Sequence, residues 1–194
     1  MAAALSHIIP LAVASGLNLY ATIAVLGLSS HFGLVTLPEQ FRVFDHPVVI
    51  GAALTLYAIE FVADKIPWVD SLWDALHTII RPIGSVVVAV AALSDAPPAI
   101  TTVAALVAGS VTMTTHLAKA GTRAAVNASP EPFSNWILSL GEDVLAIGIS
   151  YSTVQHPLLA LAAAVAVLVA IAVFAVVLFR ALRRRLSRSM SGRA

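Results

Sequence analysis

The chain has no cysteine, which excludes disulfides, thiolate metal sites and a cysteine nucleophile. Charge is scarce too: Asp, Glu, Lys and Arg make up 11% of the 194 residues, against roughly 25% in an ordinary soluble domain. Hydrophobic residues make up 59%, and the mean hydropathy is +0.94. A chain with so little polar surface cannot stay in water, so it reads as an integral membrane protein. The stretch Met1–His7 has no basic residue cluster and no clear small-residue cleavage site follows, so no cleaved signal peptide is expected. His-Glu-x-x-His is absent, as are protease, kinase and hydrolase motifs. The basic residues are not interleaved with aromatics in a way that suits nucleic acid. No cofactor is expected.

What remains is long apolar runs carrying a few charges. Six spans are expected: about Ile8–Leu28, Pro47–Ala63, Ser71–Ser94, Pro98–Leu117, Phe133–Val154 and Leu158–Phe179. The expected fold class is all-α, a polytopic membrane helix bundle. Its first segment should be broken at Ser15-Gly16-Leu17-Asn18 and its third kinked at Pro82. Three spans on each side of Asp95-Ala96-Pro97-Pro98 would admit an inverted 3+3 repeat. The sequence support for it is only the Ser-x-Trp shared by Ser71-Leu72-Trp73 and Ser134-Asn135-Trp136. Residues 1–180 form one transmembrane domain and 181–194 an arginine-rich tail.

Six of the eleven basic residues, Arg180, Arg183, Arg184, Arg185, Arg188 and Arg193, fall in the last fifteen positions. Basic residues favour the cytoplasmic side. Counting back from the tail through six spans puts Lys119, Arg123, Lys65, Arg81 and both termini inside and only Arg42 outside. The expected location is a bacterial inner membrane. The partners expected are the bilayer itself, with anionic lipids at the tail, and no nucleic acid; a homo-oligomer stays open.

Three polar stripes need explaining. Asp70, Asp74, His77 and Arg81 follow one another at helical spacing, as do His116, Lys119, Arg123 and Asn127. Trp68, Leu72, Leu76 and Ile79/Ile80 lie opposite the first stripe. Glu60 and Asp64 close the second span with a further acidic face. In the fifth span, Asn135, Ser139, Glu142, Ser150 and Thr153 share a face that Asp143 borders. A carboxylate at mid-bilayer costs roughly 2.5–3.5 kcal/mol, so Glu142 and Asp143 together call for a reason. One reading pairs Asp70 and Asp74 with Lys119 and Arg123 as a structural ion-pair network. The other lines a cytoplasmic cavity with the two stripes, places Glu142 and Asp143 at its floor, and sets the Gly16/Asn18 break beside it. Small-residue packing is the plainer role for Gly16. Within the carboxylate pair, Glu142 is expected on the solute side and Asp143 beside a cation. Asn127-Ala128-Ser129 matches a glycosylation sequon but falls on the cytoplasmic side, and Ser129 or Ser134 with Glu131 could cap the fifth span. Oxygen and imidazole donors would suit Mg, Mn or Zn, yet four basic residues share their neighbourhood, and a metal is not assigned.

Three blocks carry a family resemblance: Ser15-Gly16-Leu17-Asn18-Leu19-Tyr20-Ala21-Thr22, Ala63-Asp64-Lys65-Ile66-Pro67-Trp68-Val69-Asp70-Ser71-Leu72-Trp73-Asp74, and Lys119 through Pro132. They resemble an uncharacterised bacterial integral-membrane family known as domain of unknown function 4126. The resemblance covers most of the chain to about Gly148 and leaves the tail outside. It implies a polytopic inner-membrane protein and supplies no activity. From the residues, the expected function is a small secondary transporter or channel-like protein for a charged solute, an ion or a lipid headgroup. The alternative is a non-transporting assembly protein, and an intramembrane enzyme acting on lipid comes third. The candidate site residues are Gly16, Asn18, Asp70, Asp74, His77, Arg81, His116, Lys119, Arg123, Asn127, Glu142 and Asp143.

Overall fold

The computed structural model describes residues 2–37, 39–93, 96–128 and 133–191. Six α-helices account for most of them: α1 (Ala2–His31), α2 (Pro47–Ala63), α3 (Pro67–Ala92), α4 (Pro98–Asn127), α5 (Phe133–Gln155) and α6 (Pro157–Ser191). A short 3-10 helix, Glu39–Asp45, lies between α1 and α2. There is no strand among the described residues.

Four helices begin on a proline: Pro47, Pro67, Pro98 and Pro157. Proline suits the first helical position, where its missing N–H has no intrahelical partner to lose. At α2 the preceding His46 caps the helix, its Nδ1 accepting from the Val48 N–H at 3.3 Å. Five helices are long and apolar enough to cross a membrane, and the fold is that of a multi-pass membrane protein. The exception is α2, at 17 residues, or about 26 Å at 1.5 Å per residue.

α1 is the axis of the bundle. It packs against all five other helices, most extensively against α5 and α4. Its sequence is apolar all round, as a helix enclosed by others requires, and it is buried along nearly its whole length. α3 packs along α4. Opposite its polar stripe, α3 exposes Trp68, Leu72, Leu76, Ile79 and Ile80, the face expected to meet lipid. α6 is peripheral and exposes most of its large side chains. At the end where α1 meets α2, Val35, Leu37, Phe41 and Phe44 pack on Leu11, Leu26 and Val88 and close the bundle.

Two expectations meet the coordinates differently. α3 stays helical through Pro82. In a 3+3 repeat the contact of α1 with α5 would have a counterpart between α2 and α4. The first is among the largest interfaces, and α2 and α4 barely touch. Asp95, Ser129, Glu131 and the tail side chains other than Arg180 and Arg183 lie outside the described residues.

Candidate functional site

The site starts at the break in α1. Asn18 leaves helical geometry at φ −152°, ψ 103°, halfway along the helix. The side chain of Asn18 caps the second half: its Oδ1 accepts from the Ala21 N–H at 2.9 Å. The first half ends with carbonyls that have lost their intrahelical partners, carrying the negative end of that half-helix dipole. Cations meet them there. Arg81 Nη1 donates to the Gly16 carbonyl at 2.9 Å and Lys119 Nζ to the Leu17 carbonyl at 3.0 Å. Gly16 is required by the approach of α4. A Cβ on it would lie 2.6 Å from Thr115 Cβ and 2.8 Å from the Thr112 carbonyl oxygen. The packing role and the break therefore coincide at this residue.

Arg81 and Arg123 are the two largest fully buried side chains. Arg81 Nη2 meets Glu60 Oε1 at 2.6 Å. Arg123 Nη2 meets Asp64 Oδ2 at 2.6 Å and Glu142 Oε2 at 3.1 Å. Its Nη1 donates to Asn135 Oδ1 and to the Asp64 carbonyl. Lys119 Nζ lies 3.4 Å from Glu60 Oε1, 3.5 Å from Asp64 Oδ2 and 3.5 Å from Glu142 Oε2. α2 has limited contact with α3 and α4, so it is tied to them chiefly by Glu60 and Asp64.

Both histidines fit as neutral rings. Arg81 can only donate, so His116 Nδ1, 2.9 Å from Arg81 Nη1, accepts; His116 Nε2 then donates to the Asp74 carbonyl at 3.0 Å. His77 Nδ1 donates to the Trp73 carbonyl at 2.7 Å, leaving Nε2 to accept from the Tyr20 hydroxyl at 3.0 Å. Asp70 Oδ2 accepts from Asn127 Nδ2 at 2.6 Å, and its Oδ1 stands 3.8 Å from Arg123.

The sum of charges is uneven. Glu60, Asp64, Asp70, Asp74, Glu142 and Asp143 stand against Arg81, Lys119 and Arg123, with Lys65 acting on Asp143 and Asp64 from the adjoining turn, six carboxyl groups against four cations. Asp74 is the least satisfied. Both its oxygens lack a hydrogen-bond partner, its side chain is 5% exposed, and its nearest cation, Arg81, is 4.0 Å away. Asp64 Oδ1 also has no partner. Buried charge left unpaired is costly.

The structure joins nine of the twelve candidate residues in one network of ion pairs and hydrogen bonds, with Asn18 and Asp143 paired apart from it and His77 bonded to Tyr20 and the Trp73 carbonyl, and it alters the partnerships expected within it. The closest carboxylates to Lys119 and Arg123 are Glu60, Asp64 and Glu142; of the expected pairs, Arg123 with Asp70 is present at 3.8 Å, while Asp74 pairs with Arg81 at 4.0 Å. α4 continues past Leu117, the expected end of the fourth span, to Asn127 and buries His116, Lys119 and Arg123. In α5, Asp143 lines up with Asn135, Ser139, Ala146 and Ser150 on the buried face, while Glu142 stands at its edge. The cation partners fall to Glu142. Asp143 takes Asn18 Nδ2 at 3.0 Å and the Tyr57 hydroxyl at 3.4 Å, with no ion pair among the described residues. Tyr57, Tyr20, Asn135 and Ser139 join the site as hydrogen-bonding partners. Tyr57 could have been found, since it precedes Glu60 by three and Asp64 by seven.

Lys65, in the turn between α2 and α3, makes no direct ion pair with the network but lies within electrostatic reach of Asp143 and Asp64. Its Nζ donates to the Phe61 carbonyl at 2.8 Å and lies 3.1 Å from the Phe61 ring centroid. Burial pushes its ammonium below the usual lysine range, against the opposing pull of Asp143 and Asp64.

Fold and site together define a polytopic helix-bundle membrane protein with an ion-pair network buried between its helices. The chain belongs to the family described as domain of unknown function (DUF4126), which it matches over residues 5–177. That match runs through most of α6, well past Gly148, and leaves the arginine-rich end outside. Neither the curated proteins nor the solved structures hold a significant match.

Proposed function

We propose that the protein is a small membrane transporter or channel-like protein that moves a small cation or protons, with Asp143 as the carboxylate that receives them. The observation that carries this reading is the Asn18 break in α1, set against Asp143 amid an excess of carboxylates. Discontinuous helices hold ions near the bilayer midplane because their freed carbonyls and half-helix ends bind charge. A cation or proton also answers the shortfall of positive charge. The excess of acids argues against an anionic solute.

The proposed location is a bacterial inner membrane. With α2 counted as a sixth crossing, the N-terminus, the α2–α3 turn, the connection from α4 to α5 and the end of α6 would share one side. Lys65 and the arginine tail lie there, and Arg42 lies opposite. Arg81, Lys119 and Arg123 no longer inform the count of loop charges, because they are buried in helices. The positive-inside rule then makes the tail side cytoplasmic and gives the tail anionic lipid headgroups to bind.

A second reading, an assembly protein whose charges only fix helix packing, has one observation in its favour. Each of the three buried cations is paired with at least one carboxylate, although Arg81 Nε has no partner, and none of the four cavities found among the described residues is lined by any of the six carboxylates. Reconstitution into liposomes under imposed cation or pH gradients separates the two. Gradient-driven movement above protein-free liposomes supports transport; its absence for protons, sodium and potassium alike supports assembly.

A further inference from the structure

Lys119 is placed as an ion would be. Its ammonium touches the Leu17 carbonyl at 3.0 Å and carboxylates of Glu60, Asp64 and Glu142 at 3.4–3.5 Å. These four oxygens come from α1, α2, the residue that follows α2, and α5, none of them the helix that carries Lys119. The carbonyl is available only because α1 breaks at the next residue. Arg81 and Arg123 share these three carboxylates with Lys119, so three acids meet three cations and the site holds one monovalent charge at the Lys119 position. A separate observation also points to a ligand. Asp64 is 1% exposed, one of its oxygens holds Lys119 and Arg123, and the other has no partner. Of the three carboxylates, Glu142 is the one with appreciable exposure, 11%, against 0% and 1% for Glu60 and Asp64. The way in from the surface therefore passes Glu142.

We infer that Glu60, Asp64, Glu142 and the Leu17 carbonyl form a monovalent-cation site that Lys119 fills as a tethered, displaceable ammonium. The ligand class is a small alkali cation or a small protonated amine. Hard oxygen donors and a high negative charge suit either, and an ammonium already shows that a monovalent cation of that size fits. In this arrangement a cation entering past Glu142 competes with Lys119 for the same oxygens. Displaced, the lysine would carry its charge to the carboxyl groups left short of cations, Asp74 among them. The inference rests on the cation reading above and names a second cation position on the other side of the α1 break from Asp143, which contributes no ligand to it.

The test is cation rescue in Lys119→Ala, which removes the ammonium and leaves space for a small one. The purified variant is melted in detergent in methylammonium, sodium, potassium or choline chloride at fixed ionic strength. Choline is too bulky for the space. The expected result is a melting temperature well below wild type in choline and raised saturably by methylammonium or an alkali cation, as ligand linkage requires. Lys119→Ala/Glu142→Gln, which restores the charge balance but removes one ligand, should melt higher in choline and lose most of the cation response. If Lys119→Ala melts alike in all four salts, the inference is wrong. It is equally wrong if the single variant cannot be recovered folded in any salt while the double variant can, since an accessible cation would have filled the gap. If neither variant folds, the wild-type protein decides: a displaceable ammonium requires its melt to rise saturably with methylammonium or an alkali cation over choline, and a melt alike in all four salts overturns the inference. Cation binding without flux would leave this site standing and refute transport; flux without cation rescue would do the reverse.

Discussion

Removing the charge of Arg123 should be among the most damaging single changes in the membrane region. Arg123→Met keeps much of the apolar stem and deletes a guanidinium that is 1% exposed. It strips Asp64 of its 2.6 Å partner and Glu142 of its 3.1 Å partner, and it orphans Asn135 Oδ1. Breaking one buried pair costs roughly 3–5 kcal/mol because the surviving charge stays in a poor dielectric. Lys119 still lies 3.5 Å from both carboxylates, which keeps the expected loss within that range although two acids are affected. At about 2–4 °C per kcal/mol for a chain of this size, the melting temperature in detergent should fall by roughly 6–20 °C. Asp64→Asn should also destabilise, by leaving Arg123 to Glu142 alone. The double variant loses one charge of each sign, so it should be less damaged than the sum of the singles by about 1–3 kcal/mol. Thermal melts of the four proteins supply the cycle. Strict additivity would mean that the 2.6 Å pair contributes nothing specific and would refute the reasoning.

Three further outcomes follow from the break and from the orientation. Asn18→Ala removes the cap on the second half of α1, worth about 1 kcal/mol, and leaves Asp143 without its 3.0 Å donor, adding about 1–3 kcal/mol; a melt within 0.5 kcal/mol of wild type, roughly the noise for a neutral surface change, would contradict this. Gly16→Ala should cost about 1–3 kcal/mol by overpacking, and Thr115→Ala should not rescue it, because the Thr112 carbonyl oxygen would remain 2.8 Å from the new Cβ. A reporter fused after Ala194 should read cytoplasmic, and a cysteine introduced at Ser71 should resist labelling confined to the outside; the opposite result reverses the orientation.

Much of the fold was legible from hydropathy and punctuation. The α2 boundaries and the start of α5 follow from Pro47, Ala63 and Phe133, and the break in α1 follows from Gly16 and Asn18 in an otherwise apolar run. The full length of α4 was hidden. His116, Lys119 and Arg123 lower the local hydropathy just as a loop would, and only the neighbouring helices reveal that these charges are enclosed. The partnerships were hidden for a related reason. Helical spacing fixes which residues share a face but not how each helix is rotated against its neighbours, so the closeness of Glu60 and Asp64 to Arg81, Lys119 and Arg123 had to come from the packing. Glu142 and Asp143 lie about 100° apart on their helix. A small difference in the setting of α5 decides which of them meets a cation, and it gives the cations to Glu142 and the broken helix to Asp143.

The central claim is that this buried excess of carboxylates receives cations or protons from water. It is tested most directly by flux into liposomes holding purified wild-type protein or Asp143→Asn, with a pH-reporting dye inside and proton, sodium or potassium gradients imposed in turn. The account predicts gradient-driven flux for wild type and its loss in Asp143→Asn, with that variant still eluting as a single species from size exclusion. Wild-type flux no greater than that of empty liposomes under every gradient, or undiminished flux in Asp143→Asn, would contradict it.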